Sequence, residues 1–320
     1  MDADRSTVTD HETDCPAKLR KSRRGDACGY DLHTQQFKCC CETTVEQPVL
    51  VSKSSRSPLP ADCGNSGGSS IFPKIANGRS VERGAWPWAA VLGQKQSDGS
   101  VRWLCGGALI GARHVLTSAH CLANSPDQLL VRLGEHDLDA ADDGEHQDRG
   151  VRRAVRHPDY MRSSNDVALL ELDRPAELCD TVAPVCLPEP TATLASRDGW
   201  AVGWGELSYR GAAANVLQEA FVTVVPVEEC EATYRQTPQY SFRFPGGFSG
   251  GVLCAADYSG QGMDACRGDS GGPLSVLGPD GRYQLAGLVL EGFGCGGATF
   301  PGLYTRVANY VDWIRREVSR

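Results

Sequence analysis

Short runs of apolar residues recur along most of this chain, and glycine, aspartate or proline separates one run from the next. Runs of this length, bounded by turn residues, are typical of β-strands. Their spacing suits two antiparallel barrels, because neighbouring strands can be joined by hairpins and closed on themselves. The pattern therefore predicts an all-β fold. Examples of such runs lie at residues 91–92, 107–110, 129–133, 167–172 and 286–290.

A different periodicity marks the end of the chain. Val307, Val311, Ile314 and Val318 follow one another at helical spacing, which places their side chains on one face of a helix. We expect a C-terminal helix that packs this face against the strands. The helix is predicted to support the fold and to take no part in chemistry.

The length, composition and net charge of the chain limit the number of domains and the kind of partner. The chain has 320 residues, of which 41% are hydrophobic, enough for a large domain with a real core and a smaller domain beside it. A net charge of −8 argues against nucleic acid as a main partner. Since every apolar run is too short to cross a bilayer, we expect no membrane span.

Cysteine usage indicates the compartment. Fourteen cysteines, without the Cys-x2-Cys pairs of a zinc site, predict a disulfide framework made in an oxidising environment. We therefore expect a secreted, extracellular protein. The opening Met1-Asp-Ala-Asp-Arg5 lacks the apolar core of a signal peptide, which suggests that the start is missing or that the gene model begins late.

The first 63 residues are polar and dense in cysteine. So short a segment with so few apolar residues cannot bury a core unaided. Residues 45–74 then form a stretch rich in Ser, Pro and Gly, which is typical of a linker. The cysteines of the first segment are Cys15, Cys28, Cys39, Cys40 and Cys41.

Candidate chemistry centres on the stretch Asp264-Ala-Cys-Arg-Gly-Asp-Ser-Gly-Gly-Pro273. Glycines around Ser270 allow a tight turn in which the N–H groups of Gly268 and Ser270 point at one oxygen, as an oxyanion hole requires. A serine is a poor nucleophile unless a base activates it. We assign the base to His120 and the carboxylate that orients this base to Asp166.

Three motifs resemble the chymotrypsin/trypsin family of serine endopeptidases. They are Thr117-Ser-Ala-His-Cys121, Asn165-Asp-Val-Ala-Leu169 and Gly268-Asp-Ser-Gly-Gly272, in the chain order His, Asp, Ser, whereas other serine hydrolases use other orders. The resemblance extends from Ile75 to the end of the chain. It implies two six-stranded antiparallel β-barrels, a catalytic triad in the cleft between them, and hydrolysis of peptide bonds.

The N-terminal cysteines carry a second resemblance. Cys28-Gly-Tyr30 and Lys38-Cys-Cys40 are similar to the second half of a clip domain, the disulfide-knotted module that precedes many arthropod serine proteases. A clip domain has six cysteines ending in an adjacent pair, whereas this chain has five, three of them consecutive. We predict a partial or degenerate clip-like module at 1–44, a linker at 45–74 and a protease domain at 75–320. A nondescript cysteine-rich pro-segment is the alternative.

The junction Lys74-Ile-Ala-Asn-Gly78 resembles the activation site of the family. A cut after Lys74 would free the ammonium of Ile75 to pair with the carboxylate of Asp269, which is costly to bury without a partner. This pairing would order Gly268 and the oxyanion hole. We expect a zymogen with little activity before the cut, and the alternative is an intact chain that is already active.

The resemblance also implies the specificity. Asp264 would form the floor of the primary pocket and Gly292 and Gly302 its walls, which predicts cleavage after Arg or Lys. Leu290 and Glu291 depart from the family, which usually has a serine and an aromatic residue there. Leu290 lacks the hydroxyl that supports the triad aspartate, and Glu291 would favour substrates with basic residues near the cut.

Four disulfides are implied by the same resemblance. The bond of Cys63 would keep the N-terminal segment attached after cleavage, and Cys179 has no assigned partner. The implied pairs are Cys63–Cys186, Cys105–Cys121, Cys230–Cys254 and Cys266–Cys295.

The acidic segment 134–145 resembles the calcium loop of trypsins. Oxygen ligands suit Ca²⁺, so a structural calcium ion is one expectation and an acidic surface loop without metal is the other. No cofactor is expected to be required for catalysis. The candidate ligands are the carboxylates of Glu135, Asp142 and Glu145 and the carbonyls of Asp137 and Ala140.

Taken together, these features predict a secreted trypsin-like zymogen that acts on a protein substrate in an extracellular cascade of haemolymph immunity or clotting. Expected partners are a downstream zymogen or precursor, an upstream trypsin-like activating protease and a serpin-type inhibitor. Two alternatives stay open. A catalytically weak pseudo-protease adaptor would explain Leu290 and Glu291, whereas a digestive trypsin would not need the long N-terminal segment.

Overall fold

A computed structural model describes most of the chain from residue 79 onward and short pieces before it. The two-residue strands β1 Tyr30–Asp31 and β2 Gln36–Phe37 pair antiparallel, and β3 Arg79–Ser80 precedes the first barrel. The predicted module at 1–44 therefore lies outside the described residues except for these two strands, and of the linker at 45–74 only residues 59–66 are described. These residues are 30–31, 36–37, 59–66, 79–122, 128–140, 144, 146–207, 211–248, 250–258, 268–291 and 300–320.

Six strands form the first antiparallel barrel. They are β4 Ala89–Lys95, β5 Val101–Gly111, β6 His114–Thr117, β7 Leu129–Leu133, β8 Gln147–Arg156 and β9 Ala168–Leu172. Their order is β4–β5–β6–β9–β8–β7, and β7 pairs back to β4. Closure gives every strand two neighbours for its N–H and C=O groups. Leu109, Val131 and Leu170 lie in the core, at most 1% exposed.

Six later strands form the second barrel. They are β10 Asp198–Gly203, β11 Gln218–Val225, β12 Val252–Ala256, β13 Pro273–Leu277, β14 Tyr283–Glu291 and β15 Gly302–Arg306. Their order is β10–β13–β14–β15–β12–β11, the pairing of β10 with β11 closes the ring, and β3 adds to the start of β11. The predicted pair of six-stranded barrels is confirmed.

Four hydrogen bonds, which we call the seam, join the two barrels between buried or half-buried groups. Each pairs a donor on one barrel with an acceptor on the other. Three of them involve residues 118, 166 or 270, which belong to the catalytic motifs. The seam bonds run from Trp88 Nε1 to Ser275 Oγ (3.0 Å), from Gly106 N to Ser270 O (2.8 Å), from Ser118 Oγ to Val289 O (3.0 Å) and from Thr305 Oγ1 to Asp166 O (2.9 Å).

Helices are few in the described residues. The chain ends with α3 Val311–Val318, preceded by a 3-10 turn at Val307–Tyr310, and all four side chains that predicted this helix are buried. The prediction of a C-terminal helix is therefore confirmed. Two further helices, α1 Val227–Tyr234 and α2 Tyr240–Arg243, were not predicted. None of the described helices is long and apolar enough to span a membrane.

Candidate active site

Ser270 lies on a tight turn immediately before β13. The N–H of Gly272 donates to the carbonyl of Asp269 at 2.7 Å, and the N–H of Gly271 donates to the carbonyl of Val289 on β14 at 2.7 Å. Gly271 has φ +79°, a conformation that side chains strongly disfavour. The first bond closes the turn around the serine, and the second fixes the turn to the second barrel.

The same turn touches the backbone of the first barrel. A Cβ atom on Gly271 would overlap Thr117 Oγ1 and lie 2.7 Å from the carbonyl oxygen of Gly106, and one on Gly106 would lie 2.7 Å from the Cα of Gly272. Since real Cβ atoms do not approach other atoms so closely, only glycine fits at these positions. Ser270 is therefore held where the two barrels meet.

His120 lies in a short 3-10 turn, Ala119–Cys121, that follows β6. Its ring Nδ1 lies 2.6 Å from Asp166 Oδ2, and its backbone N–H donates to Asp166 Oδ1 at 2.9 Å. The His120 side chain is 36% exposed, whereas that of Asp166 is 2% exposed. A carboxylate at this distance favours the tautomer with the proton on Nδ1, so that Nε2 can accept a proton.

Two residues that the sequence did not single out position the loop of Asp166. Thr305 Oγ1 donates to the backbone carbonyl of Asp166, as described for the seam, and the hydroxyl of Tyr310 donates to Asn165 Oδ1 at 3.1 Å. Burial, with a smaller contribution from the charge of Asp166, raises the pKa of Tyr310 to about 12. The second barrel and the segment before α3 therefore hold the aspartate that belongs to the first.

The serine and histidine turns are linked through a single residue. Gly106 donates its N–H to the carbonyl of Ser270, and its own carbonyl accepts the hydroxyl of Thr117 at 2.8 Å. Thr117 is three residues before His120. The structure thus brings the predicted triad residues His120, Asp166 and Ser270 to the same part of the barrel interface.

Asp269, the predicted partner of a new N-terminus, lies against the backbone of the segment 203–205. Its Oδ1 accepts the N–H of Gly205 at 2.7 Å, and a Cβ on Gly203 or Gly205 would overlap the carboxylate. Gly268, the other predicted oxyanion donor, approaches Gly205 from the same turn. The carboxylate is therefore fixed directly beside the serine.

Several predicted site residues lie outside the described part of the chain. Of the proposed pocket, only Gly302 is described, as the buried first residue of β15, paired with Ala255. The others are Lys74 and Ile75 of the activation junction, Asp264 and Gly292 of the pocket, and Cys266 and Cys295 of the fourth disulfide.

Three of the four implied disulfides lie within the described residues and are formed. Their sulfur–sulfur distances are 2.06 Å for Cys63–Cys186, 2.03 Å for Cys105–Cys121 and 2.03 Å for Cys230–Cys254. The second of these bonds ties β5 to the turn that carries His120. Among the described cysteines, Cys179 alone is outside a disulfide.

Leu290 lies in an apolar cluster behind the site. It is 3% exposed and packs with Tyr234, Phe248 and the Cys230–Cys254 pair. The strand has an irregularity between Val289 and Glu291, where it pairs with β15. Within the described residues, both donors to the carboxylate of Asp166 come from His120, and no hydroxyl donates to it.

The predicted calcium ligands are only partly described. Glu135 is 6% exposed, accepts Arg132 Nη1 on Oε2 at 3.0 Å and its neighbour His136 N–H on Oε1 at 2.8 Å, and has His146 Nδ1 at 3.6 Å. The carbonyl of Asp137 accepts the N–H of Ala140. A cation site needs these oxygens available, and here Arg132, which also pairs with Asp148, already occupies one oxygen of Glu135. Asp142 and Glu145 lie outside the described residues.

Comparisons with known proteins agree with this geometry. A sequence model of the trypsin family matches residues 75–314. The chain is 32% identical to the proclotting enzyme of Tachypleus tridentatus over 331 residues, covering 94% of this chain and 84% of the relative. It is 36% identical to serine proteinase stubble and 38% identical to serine protease Hayan, both of Drosophila melanogaster.

The two Drosophila relatives are much longer than the matched region. The alignments cover 77% and 78% of this chain, but only 31% of stubble and 40% of Hayan. The chain thus spans well under half the length of these two relatives.

Proposed function

Because this chain belongs to the trypsin family, we propose that it is a serine endopeptidase with Ser270 as nucleophile, His120 as general base and Asp166 as the carboxylate that orients the base. The observation that carries the proposal is the double contact of His120 with one buried carboxylate, at 2.6 and 2.9 Å. The turn of Ser270 is bonded to Gly106, which also holds the strand leading to His120.

In the proposed reaction, Ser270 Oγ attacks the carbonyl carbon of the scissile bond while His120 Nε2 takes the hydroxyl proton. Asp166 stabilises the imidazolium that forms. The N–H groups of Gly268 and Ser270 donate to the oxygen that becomes negative. His120 then protonates the leaving amine. In the second half of the reaction, water attacks the acyl-enzyme carbonyl while His120 takes its proton, and the bond to Ser270 Oγ breaks as His120 returns that proton to the serine.

Activation by cleavage after Lys74 is part of the proposal. The new ammonium of Ile75 would pair with Asp269, whose carboxylate is fixed beside the serine turn by Gly205. Such a pair, once desolvated, is stable only when both charges are present. Cleavage would in this way control the oxyanion donor Gly268.

The specificity proposed is for Arg or Lys before the cut, with Asp264 as the anionic floor of the pocket and Gly292 and Gly302 as its walls. A carboxylate in a narrow pocket pairs well with a guanidinium or ammonium. Glu291 would add a preference for basic residues near the cut. A Glu291→Trp variant whose subsite preference is unchanged would contradict that addition.

A role in an extracellular cascade is the proposed setting. Its support is the match to the proclotting enzyme, which extends over 84% of that protein, together with the disulfides formed in the described residues. We propose a zymogen or other precursor as substrate, a trypsin-like protease as activator and a serpin-type protein as inhibitor. Secretion follows as part of this proposal.

A structural calcium ion bound by residues 134–145 is a separate proposal. Arg132 already pairs with Glu135, so an ion would compete with a guanidinium, and we expect a dissociation constant no tighter than about 1 mM. Adding calcium to protein treated with a chelator should raise the melting temperature only in this concentration range. A melting temperature that does not move would remove the proposal.

A binding adaptor without catalysis is the second candidate, and Leu290 is the observation that favours it. This residue replaces a supporting hydroxyl with a buried apolar side chain. An aspartate held by fewer donors positions the base less firmly, which lowers the rate.

One experiment separates the two candidates. Peptidase activity is measured on chromogenic peptides ending in Arg, Lys or Phe, before and after limited cleavage, with N-terminal sequencing and a Ser270→Ala control. We expect activity only once Ile75 is a terminus, on Arg and Lys peptides, and none in the control. Clean cleavage at Ile75 with no activity on any peptide would favour the adaptor.

A further inference from the structure

Five arginines lie on the side of the first barrel where β8 meets the C-terminal helix. The ladder β6–β9–β8 pairs His114 with Glu171 and Glu171 with Arg153 in one row, and Arg153 reaches α3 by donating to Glu317. We call this surface the arginine face. Its arginines are Arg113, Arg152, Arg153, Arg316 and Arg320.

Two glutamates hold three of these arginines. Glu171 accepts Arg152 and Arg153, each at 3.1 Å, and Glu317 accepts Arg153 at 3.2 Å and Arg320 at 2.8 Å. The glutamate side chains are 17% and 7% exposed, whereas those of Arg152 and Arg320 are 68% and 69% exposed. The carboxylates thus lie inside the network and the guanidinium groups face solvent.

The other two arginines of the face have no acidic partner in the described part of the chain. Arg113 and Arg316 are exposed, and neither forms an ion pair within the described residues. Burial lowers the pKa of His114, and Arg153 and Arg113 lower it too while Glu171 opposes them, so this histidine adds little charge at neutral pH. Five arginines against two glutamates leave a positive surplus, in a chain whose net charge is −8.

Nearby ion pairs do not cancel this surplus. Each of three further arginines close to the face in sequence has an acidic partner of its own, so these pairs are neutral. They are Arg149 with Glu177, Arg174 with Asp173 and Arg315 with Asp312.

The strands and the helix that carry these arginines contribute no exposed large hydrophobic side chain among the described residues. The exposed large hydrophobic residues of the described chain all lie elsewhere in the sequence: Met161, Leu178, Leu207, Phe242, Tyr258 and Leu277. Protein interfaces have an apolar or aromatic core, and membrane-surface sites combine basic residues with apolar anchors. A charged face without such anchors is better suited to binding a flexible polyanion than to binding a folded protein or a membrane surface.

We propose that the arginine face binds a linear sulfated polysaccharide. Guanidinium groups donate two parallel N–H bonds to the oxygens of a sulfate or carboxylate group. Glu171 and Glu317 hold Arg152, Arg153 and Arg320 in place before binding, which lowers the entropy lost when the polyanion docks. The face is formed by strands and a helix of the fold, and the proposal is independent of catalysis.

The test uses the full-length chain with Ser270→Ala, so that proteolysis cannot interfere. Binding of a fluorescent heparin oligosaccharide is followed by anisotropy at about 0.15 M salt and across a salt series. We expect the Arg152→Gln/Arg320→Gln variant to bind about tenfold more weakly or worse, with a shallower salt dependence. Arg153 keeps both glutamates paired in this variant, and a melting curve verifies that it folds.

Two further variants sharpen the test. Arg113→Gln/Arg316→Gln removes arginines that hold no ion pair, and should weaken binding to a similar extent without affecting stability. Arg102→Gln/Arg235→Gln removes the same charge from exposed positions on β5 and directly after α1 and should leave the affinity within about twofold.

Several outcomes would overturn the proposal. The first is that the protein with all its arginines does not bind the oligosaccharide at this salt concentration. The second is that the control variant and the two face variants lose the same affinity. The third is that phosphatidylserine vesicles bind more tightly than the oligosaccharide and depend on the same arginines. A DNA duplex bound more tightly than the oligosaccharide would likewise count against a sulfated ligand.

Discussion

A single methyl group added at Gly271 should lower both the stability and the peptidase activity of the protein. Its φ of +79° disfavours any side chain, and a Cβ would also overlap Thr117 Oγ1. We expect Gly271→Ala to lose stability both from the backbone conformation, about 1–2 kcal/mol, and from the overlap, about 1–3 kcal/mol more. Because the residue follows Ser270, peptidase activity should fall sharply as well.

Gly281 provides a matched control for this substitution. Its φ is +78°, but a Cβ there meets nothing within 4 Å. Gly281→Ala should therefore show the backbone cost alone, with full activity. Chemical denaturation of both variants measures the difference, and equal losses would show that the close approach at Gly271 is unimportant.

Tyr310 should make the protein sensitive to alkaline pH. The pKa of its hydroxyl is raised to about 12 in the folded protein, against about 10 in an unfolded chain. The unfolded chain therefore releases this proton first, and stability that is fully present below pH 10 is lost as pH rises toward 12. We expect a loss of about 2–3 kcal/mol over this interval from Tyr310 alone.

The measurement is the free energy of unfolding between pH 9 and 12 for the unsubstituted protein and Tyr310→Phe. The variant should show a smaller fall with pH, even though it lacks the bond to Asn165 and starts from lower stability. Tyr258 is 70% exposed, so Tyr258→Phe should keep the original slope. Identical slopes in all three proteins would refute the assignment.

The sequence predicted His120, Asp166 and Ser270 but not the residues that hold them. Thr117 and Ser118 were visible in the histidine motif, yet their acceptors are the carbonyls of Gly106 and Val289, the second 171 residues away. A hydroxyl can bond to any nearby carbonyl, so its partner depends on the folded path of the chain. The local sequence pattern therefore indicates a reactive residue more readily than it indicates the hydrogen-bond partners that hold this residue in place.

At the scale of elements, the attachment of α3 depends on its apolar stripe. Ile314 is completely buried, whereas Arg316 on the same helix is exposed. We expect Ile314→Ala to cost about 2–5 kcal/mol of unfolding free energy, and Arg316→Ala to stay within about 0.5 kcal/mol. Thermal melts of the two variants would contradict this if their midpoints were equally lowered.

The apolar pattern predicted α3 and located five of the barrel strands, β4, β5, β7, β9 and β14, but it predicted neither α1 nor α2. A barrel strand buries one face, so a strand with enough apolar residues can be recognised locally. In contrast, α1 buries only Cys230 and Tyr234, one turn apart, and α2 has only four residues. These helices form because the surrounding cluster covers them, which a local pattern does not reveal.

At the scale of the whole molecule, the Cys63–Cys186 bond joins the segment 59–66 to the protease body. Gly64 also donates to the carbonyl of Pro184 and accepts from Tyr283, each at 2.8 Å. After a cut at Lys74, the unsubstituted protein should run as one band on a denaturing gel without reductant. The Cys63→Ser/Cys186→Ser variant should run as two and lose about 2–4 kcal/mol of stability.

Cys179 could explain a single band in the double cysteine variant. If the double variant still ran as one band without reductant, a second covalent link would have to join the N-terminal segment to the body. Adding Cys179→Ser to that variant would then release the segment if this cysteine formed the link. A reduced gel of each cut protein confirms that cleavage was complete.

The seam has a consequence for how the enzyme would fail. In three of its four bonds, one partner is Ser118, Asp166 or Ser270. If the barrels separate, Ser270 therefore moves away from His120. The strands, by contrast, are bonded within each barrel and survive a small separation. If the triad acts as proposed, mild denaturant should abolish turnover while the β-sheet signal in circular dichroism is still intact. Separation of the two barrels, rather than unfolding of their strands, would then limit how long the protein stays active.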